Sequence, residues 1–388
     1  MNKNIYIDGL GLVDGHFSGV GQYILGILRG LDELLTEAKY NGDKYPDIYV
    51  FIPRDTVPKF RSFGFKNIGY KSIPIPFRYM SALWIRGKMP PIDLWLGKGY
   101  YIFPRFVSMP LLFSKYSIVI YDLSYELYRQ YSDERNAIFL SNSVKKSLTK
   151  ADHVFTISKN AKKEIVDFYM LPKDFVSIST PAADQRYFYR RSQNEIDKIK
   201  EKYDIRGDYI LALSNLEPRK NLDALVEAYC NLPKKYRDNN SLLLVGVSGW
   251  KADKLFQTII QRVKDGYNII RPSGYVSDLD KPAVISGAKM LVYPSHYEGF
   301  GMPPLEALAC GVPVITADNS SLPEVVSDAG VMLECTDTKE ITKQMRKYLD
   351  NIKEETSKSI IGGPLQASNF NWGKSAKIYW DYVMEQTQ

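Results

Sequence analysis

Residues 293–313 read YPSHYEGFGMPPLEALACGVP, and this segment carries the clearest pattern of the chain. An apolar run ends at Tyr293, a loop with glycines follows, and two prolines open a short helical pattern that a glycine closes. Since proline favours the start of a helix and glycine its end, the stretch predicts a buried strand, a loop and a helix. Glu298 lies in the loop and Glu306 near the helix start, so both carboxylates are expected at the carboxyl edge of a sheet.

The rest of the chain repeats this alternation of strand and helix. Short β-branched and aromatic runs predict six strands up to residue 180 and six more from residue 209, with helical patterns between them. The expected class is therefore α/β, with two Rossmann-like, doubly wound domains that face each other across a cleft. A polar, turn-rich stretch at 181–193 divides the first domain, 1–185, from the second, 186–369. An aromatic, helical stretch at 370–388 ends the chain.

The composition is that of a folded globular protein. The chain has 388 residues, of which 45% are hydrophobic and 24% charged, and it is long enough to bury a core without disulfides. No window reaches the ~18 uninterrupted apolar residues of a membrane-spanning helix, and the start of the chain is unlike a signal peptide. The 3 cysteines are far apart and typical of reduced thiols, and 3 histidines do not suggest a histidine-rich metal centre. A cytoplasmic protein is expected.

The excess positive charge lies in one segment, which we call the basic window, 54–88. Its eight bases and one acid account for the whole net charge of +7, and aromatic residues are interleaved with them. This pattern suits an anionic membrane, where the aromatics could settle at the headgroup level, a lipid-phosphate acceptor, or single-stranded nucleic acid. The alternative is a solvated region whose aromatics are core residues. The bases are Arg54, Lys59, Arg61, Lys66, Lys71, Arg78, Arg86 and Lys88, and the aromatics are Phe60, Phe63, Phe65, Tyr70, Phe77, Tyr79 and Trp84.

The two carboxylates and the helix start suit a ligand that carries hydroxyls and phosphate. A carboxylate accepts two hydrogen bonds from vicinal hydroxyls, such as those of a ribose or a hexose. The helix start offers free N–H groups to a phosphate, and because prolines have none, Leu305 and Glu306 are the nearest expected donors. The alternative is a structural unit in which the glutamates favour the positive end of the helix.

A pair of bases follows the first strand of the second predicted domain. Residues 213–222 read LSNLEPRKNL, with Arg219 and Lys220 directly before a helix that begins near Leu222. Two bases at a helix N-terminus oppose the helix dipole unless an anion is present, and a diphosphate would supply that anion. A solvated loop pair is the alternative, but the strand-end position, shared with the glutamate loop, favours an anion site.

Together these motifs resemble glycosyltransferase family 4. EGFGMPPLEA, with seven residues between Glu298 and Glu306, is accompanied by ACGVPV, SSLPEVV, LEPRKNL, SGYVSD and FTISKNAKKEI. The likeness covers nearly the whole chain and is strongest from Ala151 to Gly330. GFGMPPLEA and LEPRKNL are particularly similar to the mannosyltransferases of bacterial surface-polysaccharide (O-antigen) assembly. The resemblance implies a retaining enzyme of the two-Rossmann GT-B fold, with an acceptor-binding first domain, a nucleotide-sugar-binding second domain and a C-terminal helix that crosses back to the first.

The resemblance also implies a role for each candidate residue. Glu306 would hold the ribose hydroxyls, and Glu298 would contact the donor sugar near its reacting carbon. Arg219 and Lys220 would neutralise the diphosphate leaving group. The other implied contacts are the backbone groups of Phe300, Gly301 and Met302, a base pocket of Tyr275 and Val276, and the glycine loop FSGVGQ with Gly19 and Gly21 near the phosphates and the acceptor.

The chain departs from the family pattern at one strand end. Where many relatives have His-Asp-Leu-Ser, residues 121–124 read YDLS. The relatives' histidine touches the donor sugar, so that contact would come here from the Tyr121 hydroxyl, from Asp122, or be absent. Asn215 stands near the place of an additional arginine in some members, which leaves more of the charge to the two bases that follow.

Two further patterns are interpreted as structural. Asp278 and Asp280 form an Asp-x-Asp pattern, but Ser277 with Asp280 resembles a capping box, so a helix start is favoured over a metal site. His296 lies in the glutamate loop and is expected to order it. No metal is expected, and no cofactor beyond the donor substrate.

The combined expectation is a metal-independent, retaining hexosyltransferase, most like an α-mannosyltransferase that uses GDP-mannose. Its acceptor would be a polyprenyl-diphosphate-linked glycan, and the enzyme would be peripheral on the inner face of the cell membrane, held through the basic window, with no nucleic-acid partner. One alternative is the same fold with UDP-glucose or dTDP-rhamnose as donor. Another is a non-catalytic nucleotide-sugar or nucleic-acid binding protein, against which both glutamates and the Arg-Lys pair argue.

Overall fold

A computed structural model describes residues 4–13, 18–76, 79, 83, 89–334 and 336–387. The chain forms two compact units rather than one. The first unit comprises Met1–Glu126, Arg135–Pro181 and Asn371–Gln388, and the second comprises Leu127–Glu134 and Ala182–Phe370. This division differs from the predicted one chiefly at Leu127–Glu134, a segment from the first half of the chain that packs within the second unit.

The described residues of the first unit hold one seven-stranded sheet in which all neighbours are parallel. Its strands are β1 Asn4–Asp8, β2 Ile48–Pro53, β3 Gly69–Ile73, β4 Gly99–Phe103, β5 Lys115–Val119, β6 His153–Thr156 and β7 Val176–Ile178. They lie in the order β3-β2-β1-β4-β5-β6-β7, with Ile5 opposite both Ile48 and Tyr100. The sequence predicted these strands except β4.

The described part of the second unit holds a six-stranded parallel sheet. Its strands are β8 Asp208–Leu213, β9 Asn240–Val245, β10 Ile269–Ile270, β11 Met290–Tyr293, β12 Val314–Ala317 and β13 Val331–Leu333. They lie in the order β10-β9-β8-β11-β12-β13. Since the chain runs outward from β8 on one side and from β11 on the other, the loops after these two strands flank the point where a doubly wound sheet binds its ligand.

Helices connect the strands in both units. In chain order they are α1 Leu10–Val13, α2 Gly19–Asn41, α3 Val57–Arg61, α4 Asp93–Leu96, α5 Ser124–Leu127, α6 Glu134–Leu148, α7 Lys159–Tyr169, α8 Gln193–Lys202, α9 Leu222–Cys230, α10 Lys234–Arg237, α11 Asp253–Lys264, α12 Lys281–Ser286, α13 Met302–Ala309, α14 Leu322–Val326, α15 Thr338–Asp350, α16 Ile352–Ala367 and α17 Trp372–Thr387. Among the helices of the described ranges, none is both long enough and apolar enough to cross a bilayer.

The C-terminal helix α17 packs on α2 of the first unit. Two glycines of α2 make this approach possible, because a Cβ at Gly26 would lie 2.4 Å from the Trp372 ring and one at Gly30 would lie 2.5 Å from the Ala376 Cβ. The buried hydroxyls of Tyr23 and Tyr379 are 3.1 Å apart and hydrogen-bonded. The predicted return of the chain to the first unit is therefore confirmed.

Candidate active site

The loop after β8 turns sharply and presents two bases. Pro218–Lys220 form a single 3-10 turn, and Asn221 then takes the left-handed conformation with φ of 54°. Asparagine tolerates this conformation better than most residues, and here its side-chain amide donates to the Thr336 carbonyl at 2.9 Å. The turn directs Arg219 and Lys220 toward the loop that follows β11.

The Glu298 carboxylate is buried and is bound by three donors. Its Oε1 accepts from the Lys220 Nζ and from the Ser295 Oγ, both at 2.6 Å, and its Oε2 accepts from the Arg219 guanidinium at 3.1 Å. Burial by itself would raise the pKa of Glu298, but the two cations outweigh burial and bring the pKa to about 2. The carboxylate is therefore ionised at neutral pH.

The same two bases have further partners. Arg219 donates to the Glu217 carboxylate at 2.8 Å and to the Tyr297 carbonyl at 2.7 Å, and the Lys220 Nζ donates to the Tyr293 hydroxyl at 2.9 Å. Burial, together with the neighbouring guanidinium, lowers the pKa of Lys220. We call Glu217, Arg219, Lys220 and Glu298 the paired cluster. Its two cations and two carboxylates have formal charges that cancel.

The Glu306 carboxylate is equally buried but has far fewer contacts. Among the described residues, its side-chain partner is the Lys281 Nζ, 3.5 Å from Oε1. Lys281 is shared with Asp278, whose Oδ1 lies 3.1 Å away. Burial raises the pKa of Glu306, and Lys281 opposes that shift only in part. Since a carboxylate has about four lone-pair positions, this one retains capacity for further hydrogen bonds.

The start of α13 corrects one prediction. The helix begins at Met302 rather than at the two prolines, so Glu306 is its fifth residue and the Leu305 N–H already donates to the Gly301 carbonyl at 3.2 Å. The expectation that Leu305 and Glu306 offer free N–H groups is wrong, because both lie inside the helix. Gly301 has φ of 116°, and a Cβ there would lie 2.8 Å from the Leu322 side chain, so this position favours glycine.

Other contacts hold the glutamate loop in place. The Ser321 Oγ lies 2.8 Å from both the Glu298 carbonyl and the Phe300 carbonyl. The buried Phe300 ring packs edge to face on Phe370, with ring centroids 5.4 Å apart. The Phe300 carbonyl, one of the backbone groups predicted to face the donor, therefore already accepts a hydrogen bond from the protein.

The residues predicted for the base pocket follow β10 at the same carboxyl edge. Tyr275 is exposed and Val276 is buried. The nearby Asp280 accepts from Lys202, Tyr203 and Ser277 at 2.6–2.7 Å, and α12 begins at the next residue. These three contacts engage the Asp280 carboxylate, which lies in the turn before α12.

The four candidate residues from the first half of the chain, which are Gly19, Gly21, Tyr121 and Asp122, belong to the first unit. Tyr121 is buried, and its hydroxyl donates to the Pro104 carbonyl at 2.9 Å, while burial raises its pKa well above the ordinary value. Asp122 accepts from the backbone N–H of Ser124 at 2.9 Å. Gly19 and Gly21 form the first turn of α2, which Ser18 caps, and Phe17 of the glycine loop lies outside the described residues.

Several residues at the site do not belong to the predicted set. Glu217 lies inside the quoted stretch LSNLEPRKNL and Lys281 directly follows Asp280, so both could have been found as charged neighbours of predicted residues. No local signal indicates Tyr128 and Tyr131. Tyr128 stacks on Tyr297 at 4.5 Å between centroids, and Tyr131 stacks on His296 at 4.9 Å, which agrees with the loop-ordering role expected of that histidine.

Comparison with known proteins places the chain among glycosyltransferases. Residues 194–361 match the family described as glycosyl transferases group 1. O-antigen chain mannosyltransferase B of Escherichia coli is 33% identical over 290 residues, which cover 73% of this chain and 74% of that protein. The serotype-specific mannosyltransferase WbdA of Escherichia coli is 31% identical over 235 residues, 59% of this chain but only 28% of that longer protein. The crystal structure of WaaG, a glycosyltransferase involved in lipopolysaccharide biosynthesis, has a TM-score of 0.69 at 14% identity over 98% of this chain and 99% of its own.

The two parallel sheets are those of the GT-B glycosyltransferases. The chain belongs to the group 1 glycosyltransferases. The family resemblance drawn from its motifs is thereby confirmed.

Proposed function

We propose that this glycosyltransferase moves a mannosyl residue from GDP-mannose onto a lipid-linked glycan in O-antigen assembly, with retention at the anomeric carbon. The names of its relatives support the sugar and the product. The observation that carries the proposal is the paired cluster at the ends of β8 and β11, beside the under-partnered Glu306.

Glu306 fits the ribose of the nucleotide. A buried carboxylate with one distant cation is costly for the fold, and two vicinal hydroxyls would supply the missing donors. Lys281 would remain beside the same carboxylate and offset its negative charge. Binding of the nucleotide would thus satisfy a group that the protein leaves partly unsatisfied.

Arg219 and Lys220 fit the diphosphate. Burial and a neighbouring guanidinium lower the pKa of Lys220. An anion beside Lys220 would favour its protonated form and would be attracted to that positive charge. Arginine matches two phosphate oxygens, and lysine acts as a point charge. Both groups would stabilise the charge that grows on the diphosphate as it leaves.

The contacts of Glu298 favour a transfer in which this carboxylate does not form a covalent bond to the sugar. Its carboxylate is held by two cations and a hydroxyl, so one lone-pair position remains for a sugar hydroxyl and its nucleophilicity is low. In the proposed step the acceptor oxygen bonds to the anomeric carbon while that carbon's bond to the diphosphate oxygen breaks. The acceptor proton passes to a diphosphate oxygen on the same face, and GDP departs.

A donor panel with product analysis tests this proposal. GDP-mannose, UDP-glucose and dTDP-rhamnose are each offered with a synthetic alkyl-diphosphate-linked glycan, and the product linkage is read by NMR. We expect transfer from GDP-mannose and an α-linked product. Transfer from another donor only would refute the donor, a β-linked product would refute retention, and donor binding without transfer from any of the three would refute the proposed reaction.

A further inference from the structure

Four large apolar side chains are exposed together on the first unit. Leu94 and Trp95 lie in α4, just before β4, and Leu112 and Phe113 lie just before β5. Their exposed fractions are 56%, 45%, 59% and 61%. We call these four residues the edge patch. Adjacent apolar side chains that are this exposed are typical of an interaction surface.

A buried carboxylate fixes the backbone under the edge patch. Asp93, itself buried, accepts from the N–H groups of Leu112, Phe113 and Ser114 at 2.7–3.1 Å. The Ile92 N–H also donates to the Pro110 carbonyl at 3.0 Å. The two segments are therefore tied to each other, and their apolar side chains are presented to solvent by an ordered backbone.

The basic window packs several of its aromatic residues against one another. In its described part, Phe60 is buried and packs against Phe65 and Tyr70 at 5.5 and 5.8 Å between centroids, and Phe63 packs against Phe65 at 6.2 Å. These rings contact one another and are at least half-buried, so they offer less surface to a bilayer than fully exposed rings would, and the contact of Phe63 and Phe65 with headgroups stays a prediction. The residues Phe77, Arg78, Trp84, Arg86 and Lys88 of this prediction lie outside the described residues.

The surroundings of the edge patch favour an anionic bilayer as its partner. Exposed Lys98 and Lys115 flank it, and Lys115 also lies 3.3 Å from the Asp152 carboxylate. Tyr40 and Met170, both almost fully exposed, end α2 and α7 at the same amino edge of the sheet. Tryptophan with aliphatic side chains beside lysines is the composition that settles at a membrane interface.

We propose that the edge patch inserts into the headgroup region of an anionic bilayer and holds the enzyme at its surface. The inference rests on the proposed function, because a lipid-linked acceptor must be met at a membrane. The patch lies at the amino ends of the strands, so lipid contact there leaves the carboxyl edge of the same sheet accessible to substrate.

Vesicle flotation with matched variants tests the proposal. Wild-type protein should float with phosphatidylethanolamine–phosphatidylglycerol vesicles and much less with phosphatidylcholine. The double change Trp95→Ser and Phe113→Ser should lower the partition coefficient by about tenfold or more. The control changes Ile361→Ser and Leu365→Ser remove side chains that are 75% and 70% exposed on α16 of the second unit, and should leave binding unchanged.

Two further measurements identify the partner and the contact. Brominated lipids should quench tryptophan emission in the wild type, and Trp95→Phe should keep binding while losing most of that quenching. Changing Lys98 and Lys115 to Ser should weaken binding at low salt and reduce its dependence on salt. Equal binding by the Trp95–Phe113 variant, or no preference for anionic lipid, would refute the proposal. A dimer that this variant dissociates without change in lipid binding would assign the patch to a second copy instead.

Failure of this inference is distinguishable from failure of the proposed function. The Trp95–Phe113 variant should transfer sugar to a short soluble acceptor at the wild-type rate, since no edge-patch residue belongs to the paired cluster. Lipid binding through the patch without transfer from GDP-mannose would refute the proposed donor alone. Transfer from GDP-mannose by a wild type that binds no vesicle would refute the patch alone.

Discussion

Glu298 and Glu306 are both buried and lie at the same edge of one sheet, yet their surroundings differ. Glu298 has three donors at 2.6–3.1 Å and a pKa of about 2, whereas Glu306 has one cation at 3.5 Å and a raised pKa. Burial acts in the same direction on both pKa values, so the number and distance of the cations decide the difference. Of two glutamates in one motif, the protein thus supplies most hydrogen bonds of one, and the other retains capacity for further hydrogen bonds.

The largest effect should come from removing the negative charge of Glu298, which three donors of the protein bind. Glu298→Gln should lower the free energy of unfolding at pH 7 by about 3 kcal/mol, because the buried Lys220 and the partly buried Arg219 lose their shared partner. Since the folded pKa of Glu298 is about 2 and the ordinary value is 4.5, the stabilisation is present above pH 4.5 and is lost as the pH falls toward 2. Denaturant unfolding of both proteins across that range should show the difference shrinking.

Glu306→Gln is the matched control for this measurement. A carboxyl with a raised folded pKa contributes stability below its ordinary pKa and loses it as the pH rises through the folded value. At pH 7 the neutral amide should therefore leave the free energy of unfolding unchanged or slightly higher. Equal losses in the two variants would show that the carboxylates are not in different states.

The next effect should distinguish the roles of Lys220 and Lys281. Lys220→Ala should lower the rate of transfer about 100-fold at saturating donor, because a charge-assisted contact to the leaving group is lost. Lys281→Ala should act mainly on donor affinity, since Lys281 adjoins the carboxylate proposed to bind the ribose. Initial rates with circular dichroism as the folding check decide this, and wild-type turnover by folded Lys220→Ala would contradict the leaving-group role.

A smaller effect should distinguish the glutamates by ligand. Glu306→Ala should weaken GDP binding about tenfold, because the ribose hydroxyls lose their acceptor. Glu298→Ala should weaken GDP binding less than it lowers transfer, since its proposed partner is the sugar. Calorimetry with GDP on the two variants measures this, and similar losses of affinity would mean that the roles are not divided in this way.

The smallest effect should be that of metal removal. With Asp280 engaged by three donors and Asp278 by Lys281, we expect activity in EDTA to stay within about twofold of the untreated rate. The assay is repeated with added Mg²⁺ and Mn²⁺. If EDTA abolishes activity and manganese restores it, a carboxylate near Glu306 binds a metal ion.

The local parts of the site could be predicted from the sequence. β11 ends at Tyr293 and α9 spans Leu222–Cys230, as the apolar runs and their flanking residues indicated. The exact start of α13 could not be predicted, because Met302 precedes the prolines that marked it. β4 was missed although Gly97 and Pro104 flank it as boundary signals, because its five residues lie inside a long apolar stretch, 92–121, without alternation of apolar and polar residues.

The α/β class, the two sheets and the candidate residues could be read from the chain alone, because each depends on the order of residues within a short stretch. Which charges meet depends on the folded arrangement of the strands. Arg219 and Lys220 are 79 and 78 positions from Glu298 and reach it because β8 lies beside β11, and strand order is a property of the whole sheet. The edge patch has the same origin, since Trp95 and Phe113 are ordinary core residues by type, and packing around Asp93 leaves them exposed.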